Sequence, residues 1–360
     1  MKLYKYRPLS DFLFKELFYQ EIYFASYLEL NDPLDLSARI EFTPKNEKQI
    51  GYLLWFLFKT TLKINDVNIP YSDFDRQNNK QLIEFNNNEE LRNKFKASVY
   101  NQLIALKVDH DFISISDLEI ILEKEANELT FKIDVVKFKS ELQRLTKKFL
   151  ENSCVTCFSE TNNDFLMWSH YASKHSGICL EFTLENNGLF PYKHTSKREL
   201  NNEAYLERTS EWHIDEIIFW DRIKKVNYQT SQPFINFYDF SPVFDNEHDC
   251  DLIGLSKSWT HGFAYELENV FSTKTLPWKY ENEWRAIEVN FGDIQEPEER
   301  VRHYPIECLS SIYFGLRTPE SAKKRIYKIF KSHRKDIQYF DSFPTDGREI
   351  IFDNWEYYEE

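Results

Sequence analysis

The period of the apolar residues changes twice along this chain, and that limits its folds more than any other feature. Residues 3–7 (Leu-Tyr-Lys-Tyr-Arg) alternate in side-chain type and stop at Pro8, as a short strand does. Residues 10–19 read as a helix, with Ser10 as N-cap and Phe12, Leu13, Leu17 and Phe18 as its apolar stripe. Residues 22–26 read as a second strand, and Asn31-Asp32-Pro33 as a turn. The spacing is then helical over 47–64, 80–107 and 116–150, for example at Leu118, Ile121, Leu122, Ala126 and Leu129. At 153 the strand period returns. Strands are expected at 153–159, 177–183, 283–291, 308–314, 336–341 and 348–353, with helices at 164–173, 262–275 and 319–333. Residues 184–260 read as irregular and hydrophilic, with aromatic islands. The pattern predicts an α+β fold: a mixed, mostly antiparallel sheet interrupted by a helical insertion. Residues 1–45 and 151–360 form the expected core domain, and 46–150 the insertion.

Composition removes several function classes. With eight glycines in 360 residues, neither GxGxxG nor GxxxxGK[ST] is present, and HExxH, GxSxG and an EF-hand loop are missing too. The net charge of −14 disfavours nonspecific binding to a polyanion. The longest apolar run, Tyr52 to Phe58, is far short of the ~20 residues that span a bilayer. The N-terminus lacks the apolar core of a signal peptide, so a cytoplasmic protein without membrane attachment is expected. Cys154 and Cys157 form a CxxC, but on a strand positions i and i+3 face opposite ways, so no metal site is expected there.

Three segments concentrate polar groups among aromatic rings. In Tyr4-Lys5-Tyr6-Arg7, the Arg7 guanidinium offers a fork of donors suited to phosphate or carboxylate. In Ser159-Glu160 with Met167-Trp168-Ser169-His170-Tyr171, helical spacing puts Met167 and Tyr171 on one face, and His170 is a candidate proton donor. In Trp278 to Arg285, an extended backbone points Glu281 and Glu283 the same way, with Arg285 continuing that face. All three are expected to meet at one aromatic-lined cleft. The basic stretch Lys323 to Lys335 reads as the solvated face of an amphipathic helix whose stripe is Ile326, Ile329 and Phe330.

Taken in order, these segments resemble a bacterial family of unknown function, DUF2971. The resemblance rests on residues 3–7, 22–26 with 31–33, 157–160, 167–171, 177–182, 280–285 and 312–315. Several members occur among anti-phage defence genes, which implies a defence or toxin-type effector. The opening strand, helix, strand and polar turn also look like the start of ADP-ribosyltransferase-type folds. That likeness implies NAD as substrate, ADP-ribosyl transfer or NAD cleavage, and no metal. Glu283 and Glu281, with Tyr171 and His170, would then be the catalytic groups. Tyr6, Arg7, Asn31, Asp32, Ser159, Trp168 and Arg285 would hold NAD, with Trp168 or Tyr171 stacking on nicotinamide. The target would be a protein or nucleic acid, and the helical insertion would meet a partner or antitoxin. The alternative is a non-catalytic sensor that binds a ligand or phage component in the aromatic cleft.

Overall fold

The computed structural model describes residues 1–61, 73–128, 132–151, 153–184, 188–200, 209–214, 216, 218–239, 268–289, 296–331, 336–347 and 349–358. The chain divides into two compact units. One holds residues 1–36, 151–231 and 271–360, the other 37–150 and 232–270.

The first unit is built on a nine-stranded sheet. Its strands are β1 (Lys2–Arg7), β2 (Ala25–Ser26), β3 (Ser153–Ser159), β4 (Ile178–Thr183), β5 (Lys224–Lys225), β6 (Glu283–Val289), β7 (Leu309–Phe314), β8 (Gln338–Pro344) and β9 (Ile350–Asn354). Their order is β5-β6-β3-β1-β4-β7-β8-β9, with β2 also on β3. Only the β7–β8 pair is parallel, so the fold is α+β with a mixed, mostly antiparallel sheet. Leu3, Phe158, Ile178, Phe182, Ile312 and Phe314 are buried in its main core.

Helix α1 (Asp11–Tyr19) starts where expected, with the Ser10 side chain accepting from the Leu13 amide. Leu13 and Leu17 are buried, one turn apart, but Phe12 and Phe18 are exposed at 76% and 56% and do not belong to the stripe. Helix α2 (Phe165–Tyr171) is capped by Asp164 and is shorter than expected. Ser173, Lys174 and His175 all have positive φ, which turns the chain sharply. Gly177 then passes so close to the Arg7 carbonyl that an added Cβ would lie 2.2 Å from it. Helix α3 (Glu320–Phe330) buries Ala322, Ile326 and Phe330. Its basic face is engaged at Lys323, paired with Asp341, and at Arg325, stacked 3.8 Å over Phe14. Arg334 and Lys335 lie outside the described residues.

Three expectations need correction. Residues 22–26 are not one strand: Glu21–Tyr23 joins a second sheet through Val301–His303, while Ala25–Ser26 joins the main one. Residues 184–260 are not simply irregular. Leu189–Leu200 pairs with Thr209–Ile214 and with Phe219–Arg222 in that second sheet. A strand rich in Lys, Arg and His hid its period, because charge on both faces erases the alternation. Finally, the helix expected at 262–275 cannot include Thr273–Thr275, which is a strand parallel to Asn227–Gln229. Residues 262–267, like 290–291 of the expected strand 283–291, lie outside the described residues.

The second unit is helical, with Ile50–Thr61, Asp73–Asn87, Glu89–Asp109, Ile115–Asn127 and Val135–Glu151. Phe42, Leu53, Phe56, Val99, Leu118, Leu122, Phe138 and Phe237 lie in its core. It also contains a parallel strand pair, Arg39–Glu41 with Phe234–Asn236. Among the described residues no helix is long and apolar enough to cross a membrane.

Candidate functional site

The site begins with an incomplete edge. On one side β3 pairs along its whole length with β6, from Glu283↔Ser159 to Val289↔Ser153. On the other side it meets β1 only at Tyr4↔Ser159 and β2 only at Ala25↔Val155 and Ser26↔Cys154. Between these contacts, no described strand pairs with Thr156, Cys157 and Phe158 on that side. A cavity of about 260 Å³ opens at this split. Because the sheet is parted, four consecutive residues of β1, from both of its faces, line the same cavity: Tyr4, Lys5, Tyr6 and Arg7. The Lys5 ammonium reaches across, donating to Thr156 Oγ1 at 2.8 Å and to the Cys157 carbonyl at 3.0 Å. It thus supplies a donor where β1 supplies no amide.

One wall of the cavity is a buried cluster of charges. Arg285 is fully buried and grips Asp35 with two bonds, Nη1–Oδ1 and Nη2–Oδ2, both 2.7 Å. It holds Glu283 through Nε–Oε1 at 2.8 Å and Nη2–Oε2 at 3.0 Å, and donates to the Phe271 carbonyl. Lys274 sits among three carboxylates: Glu281 at 2.6 Å, Asp35 at 3.3 Å and Glu283 at 3.4 Å. Tyr171 donates to Glu281 and accepts from Asn31 Nδ2 at 2.6 Å. Ser159 Oγ donates to the Glu281 carbonyl at 2.7 Å, fixing that residue's backbone.

The two glutamates arrive differently from the extended expectation. Glu281 ends a 3₁₀ turn, Leu276–Glu281, and Asn282 takes a left-handed conformation with φ 43° before β6 begins at Glu283. Asn tolerates that region because its short amide bonds locally. The turn, not the strand period, brings both carboxylates to Lys274.

Their charge states diverge. Burial, helped by the Glu283 charge, pushes the Glu281 carboxyl up to about 7, and Lys274 and Tyr171 offset only part of this. Burial also acts on Glu283, but Arg285 and Lys274 outweigh it and hold the carboxyl below its ordinary range. Burial raises the Tyr171 phenol, and the Glu281 charge raises it further. Lys5 is lowered to about 8, first by burial and then by Arg7.

The expected residues divide clearly. Glu281, Glu283, Tyr171, Tyr6, Arg7, Asn31 and Ser159 line one cavity, and Arg285 braces its charged wall. Arg7 is paired with Glu16 rather than free. Tyr6 donates to the Thr161 carbonyl at 2.8 Å. Trp168 is fully buried, with its indole nitrogen 2.6 Å from the Asn162 carbonyl and its ring edge-on to Tyr6. Its place is in the core. His170 is exposed and off the cavity wall. Asp32 is buried and closes its own turn by accepting from the Leu34 amide at 2.9 Å. The carboxylate of that turn that reaches the cavity wall is Asp35. Sequence reasoning missed Asp35, Lys5 and Lys274; Lys274 was hidden because the expected helix 262–275 runs past the helical end into the strand Thr273–Thr275. Cys157 lines the cavity while Cys154 lies 3.8 Å from Glu288, so the CxxC thiols do face apart. No group of three or more potential metal ligands occurs among the described residues.

A family model described as "Protein of unknown function (DUF2971)" matches residues 167–286. Over that stretch the chain is similar to DUF2971. The match takes in α2 from Met167, β4 and the segment carrying Glu281, Glu283 and Arg285, and leaves out β1 and Asp35. No curated protein and no solved structure matches the chain.

Proposed function

We propose that the cavity binds a nucleotide-type ligand, NAD in the specific case, and that Glu281 is the acting acid–base group of a glycosyl transfer or cleavage. The cellular role we assign is a bacterial anti-phage defence or toxin-type effector. One observation carries the enzymatic reading: a buried carboxyl at a cavity wall, held by Tyr171 and Lys274, which burial pushes up to about 7. A group poised near working pH can both take and return a proton.

The division of labour follows from the charges. Glu283, kept ionised by two cations, supplies fixed negative potential beside an oxocarbenium-like centre. As the bond from ribose to nicotinamide breaks, its electron pair leaves with the nicotinamide nitrogen. The incoming hydroxyl or amine bonds to the ribose carbon, and its proton passes to the Glu281 carboxylate. Tyr4, Tyr6, Tyr23 and Tyr171 give apolar ring walls, the usual make-up of a ligand pocket. About 260 Å³ is small beside the roughly 300–1,000 Å³ of ligand pockets, which suits one nucleoside half of NAD. A neighbouring cavity of about 570 Å³ shares Arg7, Tyr23 and Glu29 with it and offers room for the other half.

The test is incubation of the pure protein with NAD carrying label in the adenylate half, with and without lysate. Release of nicotinamide, lost in Glu281→Gln at unchanged melting temperature, supports the reading. Binding of NAD without release would make the cavity a sensor; neither binding nor release would remove NAD.

A further inference from the structure

Among the described residues three cations line the cavity, and one of them, Lys5, has no carboxylate partner there. Arg7 is neutralised by Glu16, and Lys274 by Glu281, Glu283 and Asp35. Among the described residues, Lys5 forms no ion pair. Its ammonium is held by two neutral oxygens, Thr156 Oγ1 and the Cys157 carbonyl, and lies 5.2 Å over the Phe158 ring. An ammonium has three donors, so two hydrogen bonds fix Lys5 and leave one N–H for the cavity it lines.

We infer that Lys5 is the anion anchor of this cavity, and that its ligand carries a phosphate or carboxylate seated on the Lys5 ammonium at the split between β1 and β3. A charged group placed among rings, away from bulk water, needs a counter-charge. Every other cationic charge on the wall is already met from within the protein. The anchor therefore shifts from Arg7, the residue sequence reasoning favoured, to its neighbour two positions back. The lowered affinity of Lys5 for its proton fits a cation whose partner arrives with the ligand. This deepens the reading above and rests on it only for the choice of cavity.

Selective ε-13C labelling of lysine makes the test direct. The Lys5 signal, assigned by its loss in Lys5→Arg, is titrated alone, with pyrophosphate and with acetate. A bound anion favours the ammonium, so the midpoint should rise by at least about half a unit with one of them, and which one names the ligand class. Binding of that anion should weaken about tenfold or more in Lys5→Ala and persist in Lys5→Arg. An unmoved Lys5 midpoint with both anions overturns the inference without any variant, and so does equal anion affinity in a folded Lys5→Ala. A Lys5 shift without NAD turnover keeps the anchor and removes NAD. NAD turnover with an unmoved Lys5 keeps NAD and removes the anchor.

Discussion

Strand β6 carries buried charge on both faces, and the two faces are organised on different principles. On one, Glu288 meets Arg302 as a closed pair, Nε–Oε1 at 2.9 Å and Nη2–Oε2 at 2.6 Å. Arg302 also donates to the carbonyls of Glu299 and Val301. On the other face, Glu283 and Arg285 belong to a cluster of three carboxylates and two cations beside a cavity. A charge-balanced pair, with carbonyls and the Cys154 thiol meeting its remaining hydrogen bonds, fixes a strand. A cluster with an odd carboxylate leaves one group, Glu281, whose proton is undecided near neutral pH. The difference teaches that ion pairing alone does not mark a site. The mark is an unbalanced cluster against empty space.

The largest expected effect separates the faces by stability. Arg285→Leu leaves Lys274 alone to meet Asp35, Glu281 and Glu283 in a dry setting and should cost about 3–5 kcal/mol, as removal of one partner from a buried pair does. Arg302→Leu should cost less, because the Glu288 side chain keeps 13% exposure and can recover water. Urea unfolding of both variants at pH 7 checks this, and equal losses would break the comparison.

Activity should separate them the other way. Glu281→Gln should lower turnover by ~10²-fold or more, the worth of a positioned proton-transfer group. Glu288→Gln at equal folding should leave it unchanged. Stability adds a signed prediction. A carboxyl whose folded titration lies above its unfolded one stabilises fully below about pH 4.5, and that contribution is lost as pH rises through about 7. Glu281→Gln should therefore gain on wild type between pH 5 and 8. A gap that stays constant across that range would contradict a raised Glu281.

Tyr171→Phe sharpens the same point more gently. It deletes the donor to Glu281 and the acceptor of Asn31, a loss of about 1 kcal/mol for one hydrogen bond. With less support for its charge, Glu281 should titrate higher, and the inflection of the pH–rate profile should move up.

Much of the frame was legible in the sequence because period reports burial. Strand β1 ending at Pro8, the Ser10 cap and β3 all followed local rules. Met167 and Tyr171 do share the cavity-facing side of α2. What failed depended on partners distant in sequence. Phe24 divides residues 22–26 because two sheets compete for them, and no local pattern reports that. Lys274 and Asp35 acquire meaning only from Arg285 and Glu281, brought to them by folding. Asn282 was readable in principle, since Asn favours the left-handed turn that aims Glu281. Trp168 and His170 misled because their types suit a site, whereas the packing of α2 sends one to the core and the other to the surface.

The smallest effect expected is for Asn31→Ala. It removes one exposed donor to Tyr171 and should change turnover less than Tyr171→Phe does.

The measurement that bears most directly on the unbalanced cluster is a 13C NMR titration of the glutamate side-chain carboxyls, with Glu281→Gln to assign the signal. The account predicts that Glu281 titrates near 7 while Glu283 stays ionised through the acid range of the folded protein. A Glu281 midpoint in the ordinary range near 4.5 would contradict it, and the cavity wall would then be only another closed set of ion pairs.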